Sequence, residues 1–333
     1  MNRVFCPECN GKKIIKKGKR TGSYKTVQVY QCKSCKKVFT DSRLKHTTYS
    51  ARMIVTALNY YHLGYTFDEV SRQLNKTFKI KTSKSTIHSW VKKYQKFCPI
   101  SSWRQKSLYD TQTVFTKRFD HENLQYDFLY HRYKLQRYAA KRFPKLARYL
   151  CAFEQGCPDE FFEIGERCSQ PIFTVTVEVQ NKVNLACHMA AFTLLAKRNN
   201  RERHHLIESF MLINDTATVA CEVPVWYWEK SINSGITGHI DILQVRQGTV
   251  VIMDYKPNAC KEKKAAQQLY HYALALSFRT GIPFDRIRCA WFDEHTYHEY
   301  APSEAKATLI NTRQPRKRPR KQQEKKLVAM PRI

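Results

Sequence analysis

Nowhere in the 333 residues does a run of about 18 apolar side chains occur, nor a leader with an apolar central segment. A membrane span and a secretory leader are therefore not expected, and the chain reads as intracellular, with no membrane partner. Acid is also scarce, 28 Asp and Glu against 58 Lys and Arg, a formal charge of +30 with a pI near 9.7. So lopsided a balance points to a polyanion as partner, DNA first. A secreted disulfide framework is missing too: of twelve cysteines, only four fall into spaced pairs and the rest are scattered. A chain of this length divides into several modules, each with its own core.

The first module is FCPECNGKKIIKKGKRTGSYKTVQVYQCKSCKKVF. Cys6-x-x-Cys9 and Cys32-x-x-Cys35 are two knuckles, each offering two thiolates, and four thiolates complete a closed tetrahedral site suited to structural zinc. Four buried free thiols are the alternative. Phe5, Tyr24, Tyr30 and Phe39 are available as a small core, with metal binding supplying much of the folding energy. A small β zinc ribbon over residues 1–42 is expected.

Residues 43–97 change period. Ile54, Leu58 and Tyr61 recur at helical spacing, Gly64 ends that helix, and Thr66 with Glu69 forms a capping box for the next. A third helix is predicted at about 83–96, with Ile87, Val91 and Tyr94 on one face and Lys84, Ser85, His88, Lys92 and Lys93 free to meet phosphates or base edges. This is an all-α helix-turn-helix pattern whose third helix would read DNA; a plain three-helix bundle is its alternative. The two modules together, CPECN…CKSCKKVF and GYTFDEV…SKSTIHSWVKKY, resemble the front end of insertion-sequence transposases. That resemblance implies a DNA-binding role and mobile-element proteins as partners. The widely spaced carboxylate framework of a transposase catalytic domain is not found downstream.

Residues 98–170, rich in Tyr, Arg and Lys, read as a helical connector, helical from about 121 to 151. Interleaved aromatics and cations there can stack bases or simply pack a helix. Cys151, Cys157 and Cys168 are irregularly spaced, as ordinary thiols are.

From 171 to 305 β runs take over: PIFTVTVEV, TATVACEVPVWYW, TGHIDILQV and TVVIMDY, interrupted by the helical NLACHMAAFTLLAKR. An α/β domain with a mixed central sheet is predicted. In TVVIMDYK, Val250 and Ile252 alternate with Val251 and Met253, so both faces should be buried. Asp254 and Lys256 then share one side. If TGHIDILQV pairs with this strand across the turn Arg246–Gly248, Asp241 comes beside Asp254, and two adjacent acids in a basic protein call for magnesium or manganese. Lys256 would orient the attacking water and meet charge on the phosphate.

GHID…DYK followed by QQLYHYALAL is similar to the PD-(D/E)xK nuclease superfamily, in particular its RecB-like branch, which includes CRISPR-associated exonucleases. The resemblance covers about 172–300. It implies a restriction-endonuclease-like fold and metal-dependent DNA cleavage. Asp241 and Asp254 are then ligands, Lys256 is catalytic, and Gln268 and Tyr272 line the DNA or support the lysine. It further suggests His188 as a histidine ligand, with His204 and His205 as rivals, and Glu222 as the upstream glutamate. The iron–sulfur cluster of some relatives is not expected, because only Cys260 and Cys289 follow Asp241. A DNA-binding regulator or transposition accessory protein with a non-cleaving nuclease-like domain is the rival function. The basic run TRQPRKRPRKQQEKK, within 306–333, is expected to be disordered and to add phosphate affinity.

Overall fold

The computed structural model describes residues 6, 8–9, 11–22, 26–40, 48–104, 113–121, 124–169, 173–182 and 184–309. Phe5, Tyr24 and the basic run near the C-terminus lie outside the described residues. No helix among the described residues is long and apolar enough to cross a membrane.

Strands β1 (Ile14–Thr21), β2 (Thr26–Cys32) and β3 (Val38–Thr40) form an antiparallel three-stranded sheet. Tyr30 stacks on Phe39 across β2 and β3, ring centroids 5.9 Å apart. The remainder of β1 is exposed, so this module has little core apart from its four clustered cysteines.

Three helices follow: α1 (Ala51–His62), α2 (Phe67–Phe78) and α3 (Lys84–Tyr94). The capping box is formed as predicted, with Thr66 accepting from the Glu69 N–H and Glu69 from the Thr66 N–H. Ser50 and Ser83 cap the other two helices singly, accepting from the Met53 and Thr86 N–H groups. Ile54, Leu58, Leu74 and Ile87 are buried where the helices meet.

The remaining chain builds a nine-stranded mixed sheet. Its order is β4 (Val114–His121), β5 (Leu124–His131), β9 (Thr218–Glu229), β10 (Ser234–Arg246), β11 (Thr249–Tyr255), β12 (Ile287–Phe292), β13 (Tyr297–Tyr300) and β8 (Gln180–Lys182), and β6 (Glu166–Arg167) pairs with β10 off this path. The hairpin β10–β11 turns at Gln247 and Gly248, with Ile242 opposite Met253 and Arg246 opposite Thr249. β11 and β12 are parallel, and their crossover carries helix α7 (Ala265–Thr280), after α4 (Pro144–Ala152), α5 (Leu185–Thr193) and α6 (Arg203–Asn214). The two faces of β11 are both buried: Val250 and Ile252 join the cluster under α4 and α7, while Val251 and Met253 join the cluster under α5 and α6.

Two sequence expectations need correction. The stretch from about 121 to 151, expected to be one helix, begins as strand: β4 ends at His121, β5 runs from Leu124 to His131, and helix starts only at Arg132. What decides this is long-range pairing, since Leu129 and Tyr130 lie opposite Cys221 and Ala220 on β9. The sheet thus recruits strands from before residue 171. The run PIFTVTVEV, in turn, does not enter the large sheet. Its β7 (Phe173–Thr176) pairs with β14 (Lys306–Leu309) in a separate two-stranded ribbon.

Candidate metal centres and cleft

The register of β10 and β11 puts Asp241 one step past the Ile242–Met253 pair, opposite Asp254. Opposed residues of an antiparallel pair share a face, so the two acids lie together, and Asp254 is wholly buried. Lys256 leaves the end of β11 with its Nζ 2.7 Å from Asp254 Oδ2. Asp241 and Lys256 are thus the close polar partners of this buried carboxyl.

A third acid, absent from the sequence reading, comes from α6. Glu208 is buried, and its Oε1 also lacks a hydrogen-bond partner. One helical turn earlier His204 approaches Asp241, Nδ1 to Oδ2 3.3 Å. His204, Glu208 and Asp241 each present a ligand atom within 4.8 Å of the others. The spacing His-x-x-x-Glu in RHHLIESF, which puts both on one helical face, is the signal that could have found Glu208. His188, preferred in the sequence reading, is exposed on α5 and does not belong to this group; His205 is exposed as well.

Glu222 sits on β9 beside Asp241, in a left-handed backbone conformation (φ 50°). The other described non-glycine residues with positive φ stand at turns or helix ends, so Glu222 alone among them holds such strain inside a strand. Burial, and then the Asp241 charge, push its carboxyl up to about 8. Burial and the neighbouring acids likewise drive Glu208 and Asp254 well above the ordinary carboxylate range. Asp241 is the exception: burial would raise it, but His204 and the proton on Asp254 hold it low. Lys256 is kept charged because Asp254 and Asp241 outweigh its burial. Four carboxyls thus crowd one lysine and one histidine. They cannot all ionise without a further cation, and His204, Glu208 and Asp241, with the buried Glu208 Oε1 lacking a hydrogen bond, are where one would be held. Hard oxygen donors of this kind fit magnesium or manganese.

Asp241 and Glu222 open onto a cleft of about 200 Å³, which Gln268 and Tyr272 also line; Asp254, Lys256 and Glu208 do not. Gln268 Nε2 donates to the Tyr272 hydroxyl at 2.7 Å along one face of α7. The glycine of GHID makes this approach possible. A Cβ on Gly238 would lie 2.5 Å from the Tyr272 ring, so only glycine lets α7 close on β10 here. The far wall, unforeseen in the sequence, is imidazole and aromatic: His121 Nδ1 lies 2.8 Å from His239 Nε2, and Tyr126 stacks on His239 with centroids 3.6 Å apart.

In the N-terminal module all four cysteine sulfurs lie within 4.8 Å of one another. Cys6 and Cys35 are 3.4 Å apart, and Cys9 and Cys32 3.7 Å. The Cys35 N–H, with that of Ser34, brings the Cys32 thiol down to about 6. The Lys37 N–H favours the Cys35 thiolate too, yet the adjacent thiols win and push Cys35 up to about 12. Four sulfurs this close are a possible metal site, and Cys₄ is a donor set compatible with structural zinc. Gly11 makes room for it, since a Cβ there would stand 3.2 Å from Cys9 Sγ and 3.4 Å from Cys32 Sγ.

On α3, Ile87, Trp90 and Tyr94 face inward, whereas Lys84, Ser85, His88, Lys92 and Lys93 are all exposed. The His88 ring edge rests on Phe67. Comparison of the chain with protein-family models, with curated proteins and with solved structures found no match.

Proposed function

We propose that this chain is a DNA-binding, metal-dependent deoxyribonuclease whose large sheet is of the PD-(D/E)xK type. The observation that carries the reading is the meeting of Asp241, in the middle of β10, with Asp254 and Lys256 where β11 ends, and the buried Glu208 completing an acid cluster in need of a cation. Asp241, Asp254 and Glu208 would hold magnesium or manganese, with His204 beside Asp241. Bound there, such a cation supplies a lowered water pKa and neutralises phosphate charge. Lys256 orients the attacking water and meets the negative charge that develops on the phosphorus centre. Gln268 and Tyr272, tied to each other in the cleft, position the strand being cut.

The four cysteines hold structural zinc in a ribbon, and α1–α3 act as a helix-turn-helix whose exposed α3 residues meet DNA. The net charge of +30 supplies phosphate affinity independent of sequence. The test is a cleavage assay on linear, circular and single-stranded DNA with magnesium or manganese. Cation-dependent cutting of at least one form is expected. A chain that binds DNA and cuts none of them is the non-cleaving regulator instead.

A further inference from the structure

One helix belongs to both halves of that activity. Just before α6, Glu202 pairs with Arg52 of α1, Nη1 to Oε2 3.0 Å. At the other end Asn214 is buried and fully engaged: its Nδ2 donates to Asn59 Oδ1 at 2.7 Å, and its Oδ1 lies 2.7 Å from His62 Nδ1. Its carbonyl accepts the Ile100 N–H at 3.2 Å. Between these two anchors α6 turns His204 and Glu208 toward Asp241. A second attachment runs from the end of α3, where Tyr94 and Phe97 pack on Phe192 of α5 with centroids 5.2 and 4.5 Å apart. The buried cores also merge. Ile54, Leu58 and Ile87 belong to the same cluster as Phe210, Ile242 and Met253, the last two being neighbours of Asp241 and Asp254.

A 12-residue helix is a rod of about 18 Å that neither stretches nor bends appreciably, and close-packed cores transmit position rather than absorb it. The exposed face of α3 and the acid cluster are therefore parts of one body, not modules on a tether. Resting on the nuclease reading, we propose that the chain cuts DNA at one fixed offset from the sequence its three-helix unit binds. The offset is set by the clamping of α6 rather than by the sequence at the cut. A freely tethered nuclease would scatter its cuts, and an end-directed one would ignore the bound sequence.

The experiment selects bound duplexes from a random pool with Asp254→Asn protein. It then maps cut ends, with wild-type protein and magnesium or manganese, on DNA carrying the selected sequence. One offset, conserved when the base pairs between site and cut are replaced, is the expected result. Cuts scattered over a helical turn or more, or digestion from the ends, overturn the proposal and leave the nuclease reading intact; no cleavage at all removes both. The double variant Arg52→Ala, Asn214→Ala should widen the distribution of cut positions several-fold when the cuts are normalised to total cleavage, which should itself fall because Glu208 and His204 are carried on the loosened helix. An unchanged distribution would show that α6 does not set the offset, and should the variant fail to fold, the wild-type map decides alone.

Discussion

Asp254 and Lys256 are two residues apart and in contact, yet their losses should differ. Asp254→Asn removes a ligand charge, so manganese affinity by calorimetry should fall and cleavage with it. Lys256→Ala should keep manganese bound while cleavage drops roughly 10²-fold or more, the scale on which positioned charge and proton-transfer groups act. If both variants cut within twofold of wild type, the nuclease reading is lost. The histidines divide as sharply. His204→Ala should weaken manganese binding, because that ring sits 3.3 Å from Asp241, and His188→Ala should leave it unchanged, because His188 is exposed elsewhere. The reverse result would restore the expectation drawn from sequence. A histidine among apolar letters says nothing of which way its helix will turn, and that is why His188 looked the better ligand.

At the level of elements, the cysteine module depends on two knuckles meeting around Gly11. Gly11→Ala should place a methyl against Cys9 and Cys32 and weaken zinc on the order of tenfold, as changes around a ligand shell do. Competition against a chelator measures this, and unaltered zinc affinity would refute the close approach. The elements most legible in sequence were those with local signals: the capping box of α2 and the apolar β11 with its turn. Strands β4 and β5 were not legible. Their sequence interleaves aromatics and cations at no clean period, and their pairing partner, β9, lies some ninety residues on. A segment whose conformation is set by so distant a neighbour carries little local mark of it.

For the whole molecule, a buried lysine links the late-recognised strands to the rest. Lys134, just after β5, is fully buried, and its Nζ donates to the Leu212 and Thr218 carbonyls, the latter at 3.1 Å. Burial, only partly offset by the Asp215 charge, brings its pKa down to about 7 from an ordinary 10.5. Between those values the unfolded chain holds a proton that the folded chain does not, so this group makes stability rise with pH. Below about pH 7 both states are protonated and the contribution is flat. Comparing urea unfolding of wild type and Lys134→Met should therefore show a difference that shifts toward wild type by up to about 1.4 kcal/mol per pH unit from 7 to 9. A pH-independent difference would mean that Lys134 does not titrate in this window.

From sequence alone came the cysteine pairs, the three helices, the hairpin that brings Asp241 beside Asp254, and the Gln268–Tyr272 face. All rest on spacings within one element or across one short turn, where covalent geometry leaves few options. Tertiary structure alone decided that Glu208 joins the acids, that Glu222 is strained beside them, that His121 and His239 wall the cleft, and that α6 is clamped at both ends by the three-helix unit. These join residues tens to more than a hundred positions apart. Which of many possible long-range contacts forms is settled by how whole faces pack, a property of the assembled core that no single stretch of chain contains.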